Sequence, residues 1–316
     1  MNEQMHSELS VQASKIGKVL FLYHLCMILA GVAFAFTIAI EQLRKSNLTN
    51  FDFDVFMESI LTNGWPSIFA SVIGLLIIYF ITGDQLTDGS LTRKQKKMTV
   101  TAFIPIFFCF MAAQPIISVL WILIEYGFNI FGYSISSHME MATSVGDSFS
   151  MIFYASIIAP IFEEIIFRGV VLRRLEKYGK VFAIVVSAVL FGFMHANLVQ
   201  GIFAIMVGLV LGYVTIEYSI QWAILLHFIN NAIFGEVLGR VQDYFFASSD
   251  LLSIILFALF FIAALIIVIK QKEHIKQYLG RNQSIARTYQ YTFSSLWIVL
   301  FLAMSIVLAI TGIQPL

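Results

Sequence analysis

The sequence predicts an all-α fold, a polytopic membrane helix bundle with eight or nine transmembrane helices. Three observations predict it. Of the 316 residues, 59% are hydrophobic and only 12% are charged, whereas a soluble domain carries about a quarter charged residues. Mean hydropathy is +0.87. The apolar residues also arrive in blocks of roughly 18 to 25, the length that crosses about 30 Å of hydrocarbon at about 1.5 Å per helical residue. No soluble core of this length could hide such an excess, so the solvent is lipid.

Taken in order, the first 18 residues are mostly polar and lead into an apolar run from Val19 to Ile40. That run is longer than a signal-peptide core and ends in Glu41-Gln42-Leu43-Arg44-Lys45, which makes it an uncleaved anchor, a cleaved signal being the weaker reading. Further spans are expected at 65–82, 98–123, 148–172, 181–199, 201–218, 221–238, 251–270 and 291–312, the sixth and seventh spans being the least cleanly separated. They group as N-terminal transmembrane helices (1–147), a central core (148–240) and C-terminal transmembrane helices (241–316). No segment resembles a separate soluble domain and no repeat is evident. Trp65, Trp121, Trp222 and Trp297 fall near span ends, where tryptophan anchors to the interface.

Formal net charge is zero, with 19 basic and 19 acidic residues, so no basic field points to nucleic acid. Position says more. With the N-terminus inside, the inner segments collect Lys15 and Lys18, Arg93 to Lys97, Arg168 to Lys180 and Lys270 to Arg287, which is 16 of the 19 basic residues. The outer segments keep Arg44, Lys45 and Arg240, and the loop from Glu125 to Asp147 has no Lys or Arg. Cytoplasmic loops retain basic residues, so a multi-pass protein is expected, in a bacterial cell membrane, with the N-terminus cytoplasmic and the C-terminus outside. Cys26 and Cys109 lie inside apolar blocks and read as small hydrophobes, too few and too far apart for a disulfide framework or a zinc cage.

An ionisable residue inside the membrane is a functional-site hypothesis by default, and nearly all of the deep ones fall between 160 and 231. They are Pro160-Ile161-Phe162-Glu163-Glu164-Ile165-Ile166-Phe167-Arg168-Gly169, Phe191-Gly192-Phe193-Met194-His195-Ala196-Asn197 and His227-Phe228-Ile229-Asn230-Asn231. Glu163 and Glu164 point about 100° apart on a helix and cannot share one task. Glu164 precedes Arg168 by four residues, the favourable order for an ion pair, which leaves Glu163 free. Arg168 snorkelling to the cytosol is an equal alternative. Pro160 frees backbone groups ahead of Glu163, which persist in a membrane helix where they meet protein or a watery cavity. A turn at Tyr178-Gly179-Lys180 lies midway between Glu163 and His195, so antiparallel helical arms put both at one depth, about 24 Å from the turn. His227 and Asn231 share a helical face. A carboxylate, two imidazoles and an amide supply the parts for hydrolysis: Glu163 to take a proton from water, His195 to assist, His227 and Asn231 to donate to an oxyanion.

These residues, in this order on successive helices, resemble the CAAX prenyl endopeptidase and bacteriocin-processing family, also called the Abi or CPBP family of intramembrane glutamate proteases. The resemblance covers roughly 148–240. It implies Glu163 as the water-activating carboxylate, His195 as its partner, Glu164 and Arg168 as the supporting pair, and His227 with Asn231 as the oxyanion site. It also implies a peptide or membrane-protein substrate, with bacterial members tied to leader-peptide processing and bacteriocin immunity. No cofactor is expected to be required; zinc could be held by two histidines and a carboxylate, but the His-Glu-x-x-His signature is absent.

Plainer readings stand beside these. His24 is expected to be structural, and His6, His138 and His274 to lie in loops without a role. Asn197 and Asn230 are expected to cap a helix or bond a backbone carbonyl. A non-catalytic membrane protein that binds a peptide or partner needs the same bundle without an ionisable Glu163. Transport fits poorly, because the polar residues form one cluster and trace no path across the membrane.

Overall fold

In lipid a backbone must satisfy its own N–H and C=O groups, and the apolar blocks do so as helices. The computed structural model describes residues 2–45, 51–143, 148–238, 240 and 251–316. In chain order the helices are α1 (Asn2–Lys45), α2 (Phe53–Leu61), α3 (Trp65–Thr87), α4 (Val100–Met111), α5 (Ala113–Ile130), α6 (Ser136–Thr143), α7 (149–175), α8 (Lys180–Met194), α9 (Leu198–Glu217), α10 (220–237), α11 (Leu251–Arg281), α12 (Thr288–Phe293) and α13 (Leu296–Ile310). A two-residue antiparallel pair, β1 (Tyr133–Ser134) with β2 (Gln314–Pro315), is the sheet among the described residues. Every expected span overlaps a helix, although 181–199 runs past the end of α8 into α9 and 291–312 is divided between α12 and α13. Among the described residues five helices can cross a membrane by length and composition, Glu3–Lys45, Trp65–Thr82, Val100–Ile130, Leu198–Glu217 and Leu251–Arg281, with Lys180–Met194 and Leu296–Ile310 as shorter apolar helices. The molecule is an all-α polytopic bundle.

Three spans differ from expectation for reasons that lie in the residues. α1 begins at Asn2, not near Val19. Its polar start carries a helical stripe, Leu9, Ala13, Ile16 and Leu20, all fully buried, so packing extends the helix past the apolar block. The third span breaks at Ala112 into α4 and α5, because Pro115 has no N–H to offer Met111. α11 runs on to Arg281, since its Lys, Gln and Glu residues are good helix formers in water.

The ends of the bundle sort by charge as the alternation predicts. At one end Lys96 and Lys180 both pair with Glu217, at 2.6 and 2.9 Å. Arg93 and Arg173 meet Glu176, and Lys177 meets Glu8. At the other end the loop after α5 carries β1, which pairs with the C-terminal β2, and Ser148 binds the Thr62 carbonyl. The hydrogen bond to Glu217 raises the Lys96 ammonium above its ordinary range, so this clamp persists until strongly alkaline pH and weakens as pH climbs beyond the raised value.

α8 and α9 form the tightest hairpin, and small residues make it possible. A Cβ at Gly192 would stand 2.6 Å from the Gly201 carbonyl oxygen, and one at Gly208 would stand 3.1 Å from Ala188. Such contacts let two backbones approach in a membrane. Gly192→Ala is therefore expected to destabilise the bundle by about 1–3 kcal/mol through overpacking, despite the alanine's better helix propensity. Gly127→Ala, which meets nothing within 4 Å, is expected to be neutral or slightly stabilising. Thermal unfolding in detergent, compared between the two variants, checks this.

Candidate active site

α7 is where the chain departs from regular α-helix. It runs as α-helix over Phe149–Phe153, π-helix over Tyr154–Ile158, α-helix over Ala159–Glu164 and π-helix again over Ile165–Leu172. α10 is α-helical over Ile220–Phe228 and π-helical over Ile229–Val237. Single π turns inside helices collect at functional sites, and here all of them flank the polar cluster. In the first π turn the N–H of Ala159 donates to the Tyr154 carbonyl five residues back. The next bond in that register would run from residue 160 to Ala155, but Pro160 has no N–H. The Ala155 carbonyl is left open, and Asn231 Nδ2 donates to it at 3.0 Å. The freed backbone group expected ahead of Glu163 thus meets protein.

That bond is the last of a series. Gln114 Nε2 donates to Asn230 Oδ1 at 2.9 Å, and Asn230 Nδ2 donates to Asn231 Oδ1 at 3.0 Å. With Oδ1 accepting and one N–H spent on Ala155, the second N–H of Asn231 is the hydrogen left to face the site. Asn230, expected to cap or to bond a carbonyl, instead orients its neighbour. Gln114 was not singled out in the sequence. Its signal was the break before Pro115, which places it at the start of α5.

The charged residues form a line. Arg168 Nε lies 3.2 Å from Glu164 Oε2, and both side chains have 0% exposure. The ion pair is therefore the arrangement present, and Arg168 does not snorkel. Glu164 Oε1 meets His227 Nδ1 at 3.0 Å, and His227 Nε2 lies 3.6 Å from Glu163 Oε2. Glu163 keeps 21% of its side chain exposed. One carboxylate is locked between a guanidinium and an imidazole, and the other is partly exposed. His227, expected to share a face with Asn231 and address the same point in the bundle, has its ring between the two carboxylates.

Phe191 joins the parts. The Arg168 guanidinium stacks 4.5 Å above its ring, which gains cation–π attraction. His195 and His227 meet it edge-on at 4.9 and 5.8 Å, and Phe167 packs beside it at 5.0 Å. His195 Nδ1 lies 2.9 Å from the Phe191 carbonyl oxygen. A carbonyl only accepts, so Nδ1 carries the hydrogen and the neutral ring keeps its lone pair on Nε2. His195 and Glu163 interact electrostatically. Behind His195 the chain turns through Ala196 at φ +48°, a conformation that costs a non-glycine residue about 1–2 kcal/mol.

Outside the three motifs, Asn197 caps α9 as expected, accepting from Gln200 N and donating to the His138 carbonyl. His138 is corrected: it is buried on α6, where Nδ1 accepts from Leu198 N. His6 and His274 lie on helices α1 and α11, not in loops. His24 is buried against Phe301 and Ser305, as a structural residue should be. The flanking helices contribute more than the sequence suggested. Tyr23 of α1 donates to Ser71 of α3 at 3.3 Å, and Tyr154 meets Ser71 and Ser67. Both tyrosines interact electrostatically with Glu163.

Among the described residues no group of three or more His, Cys, Asp or Glu side chains is arranged to hold a metal, and both ring nitrogens of His227 already face carboxylates. Cys26 and Cys109 are free thiols. No significant match is found among curated proteins or solved structures. Residues 145–233 match the family model described as Rce1-like, type II CAAX prenyl endopeptidase Rce1-like. The match brackets α7 to α10, the helices that carry the charged line. Over residues 145–233 this polytopic membrane protein is thus similar to a CAAX-protease family.

Proposed function

We propose that the chain is an intramembrane endopeptidase in which Glu163 activates water. The observation that carries the reading is the division between two adjacent carboxylates, Glu164 sealed against Arg168 and His227, and Glu163 partly exposed beside them. Water held between Glu163 and the free Nε2 of His195 loses a proton to Glu163 as its oxygen attacks the peptide carbonyl. The oxyanion is met by the remaining N–H of Asn231 and, when protonated, by Nε2 of His227. Collapse breaks the C–N bond, and Glu163 returns its proton to the leaving amine. Glu164 and Arg168 hold His227 in place. The substrate is a peptide or membrane-associated protein, and no metal step is invoked.

Glu163→Gln keeps shape and hydrogen bonding while removing the base. A fall of about 10²–10⁴-fold is expected in the accumulation of a cleavage product, read by mass spectrometry of peptides from cells carrying wild type or variant. Undiminished biological activity in that variant would point to a non-catalytic binding protein. Treatment of the purified protein with a strong zinc chelator is expected to leave the same product forming at an unchanged rate.

Gln114→Leu retains bulk and removes the donor that orients Asn230. Asn231 then loses its fixed amide direction, and about a tenfold loss in kcat with little change in KM is expected, less than the 10²–10³-fold loss expected for Asn231→Ala. Steady-state cleavage of the product-defining peptide separates the two variants. Equal kcat for Gln114→Leu and wild type would remove Gln114 from this role.

A further inference from the structure

Resting on the protease reading and deepening it, we propose that His138 is a positioning residue for the hydrolysis: it holds the strained turn that presents His195, and so the direction of the free Nε2 of that ring. His138 lies on α6, outside the stretch that matches the family. Its bonds run not to the reacting groups but to the chain that follows them. His195 closes α8, Ala196 turns at φ +48°, and Asn197 and Leu198 start α9. Asn197 Nδ2 donates to the His138 carbonyl at 2.9 Å, and Leu198 N donates to His138 Nδ1 at 3.3 Å. Both residues that leave the turn are thus tied to one residue of another element.

A left-handed residue other than glycine persists only where its surroundings over-determine it. The first N–H groups of a helix also have no partner within the helix. Asn197 Oδ1 takes one of them, Gln200 N, at 3.0 Å, and His138 Nδ1 takes Leu198 N. Because Nδ1 accepts, the hydrogen of the neutral ring sits on Nε2. That nitrogen faces the end of α13: a Cβ at Gly312 would stand 2.6 Å from it, and the ring also interacts with the Ala309 backbone. His138 is itself held firmly. It is 1% exposed, Ser137 Oγ donates to the Gly312 carbonyl, and β1, just ahead of α6, pairs with β2. Glu125 of α5 accepts from Ser134 Oγ and Ile135 N at 2.7 and 2.9 Å. α5 and the C-terminal segment fix α6, α6 fixes the turn, and the turn fixes His195. A packing role alone would be met by any apolar side chain of similar bulk, whereas the Nδ1 bond is aimed at the residue that follows the turn.

The carbonyl bond survives a change of side chain, so substitution isolates the Nδ1 bond. His138→Leu keeps apolar bulk and removes the acceptor; on the product-defining peptide a fall of about tenfold in kcat is expected, with KM within about twofold of wild type. His138→Asn puts Oδ1 where Nδ1 stood and is expected to recover kcat to within about threefold. Leu198→Pro removes the donor instead. A helix accepts proline at its first position, and the extended Asn197, at φ −137° and ψ 127°, suits the residue before it. This variant is expected to unfold at the wild-type temperature yet lose as much kcat as His138→Leu, and the double variant to lose no more than either. Unchanged kcat in a folded single variant, no recovery with His138→Asn, or losses that multiply overturn the proposal; if His138→Leu does not fold, Leu198→Pro decides alone. Position is read without catalysis by NMR of isotope-labelled histidine rings in detergent, the His195 signal being assigned by its loss in His195→Gln. The Nδ1 hydrogen of His195 is expected to give one resonance in wild type and to broaden or split in His138→Leu and Leu198→Pro, and an unchanged resonance overturns the proposal. A wild type that shows this change but cleaves nothing refutes the protease reading and leaves the tie to His195 standing.

Discussion

A guanidinium and a carboxylate with no exposure at all, held four residues apart on one helix, set the terms for everything around them. Taking such a pair out of water costs several kcal/mol per ion, and removing either partner alone strands a charge at a cost of about 3–5 kcal/mol. The fold must therefore keep Arg168 and Glu164 together and shield them. Phe191 offers its ring face to the guanidinium, and Gly208 leaves room for it, since a Cβ there would stand 3.4 Å from Arg168 Nη2. His227 takes the remaining Glu164 oxygen. Once that face of α7 is committed, Glu163 has only the neighbouring face, and it meets His227 from the other side. Adjacent residues of one chemical type end up with opposite duties because a helix turns about 100° per residue.

The same commitment explains the irregular helices. A regular α-helix through Pro160 would leave carbonyls without donors in lipid, which is costly. The π turn moves the shortfall to Ala155, where a side chain from another helix can supply the missing N–H. Asn231 thereby ties α10 to α7 at the depth of the site, and Asn230 and Gln114 extend the tie to α5. A break in one helix becomes the bond that positions a second and a third.

Much of this was legible in the residues themselves. The apolar blocks, the basic alternation and the turn at Gly179 placed the helices, and the spacing of Glu164 and Arg168 named the pair. The π turns were not visible, because a 3.6-residue pattern and a slightly wider one are indistinguishable over a single turn. The role of Gln114 escaped for a related reason: it depends on a contact 116 residues away. Polar residues of the flanking spans, Tyr23 and Ser71, look like ordinary interhelical glue until α1 and α3 are seen to pack beside Glu163. The start of α1 escaped in the opposite sense. Its polar composition suggested a span that begins at Val19, whereas a stripe of four buried residues carries the helix back to Asn2.

One consequence of the buried pair is directional. A charged group that must stay dry needs a packed layer on at least one side, and Gly169 to Leu172, all buried, provide it ahead of Arg173 and Arg174 at the basic end. On the other side of the pair Glu163 lies one residue from Glu164 and keeps part of its side chain exposed. A sealed carboxylate and a partly exposed one are thus separated by a single peptide unit, and the location of the ion pair along α7 determines which of the two can be reached.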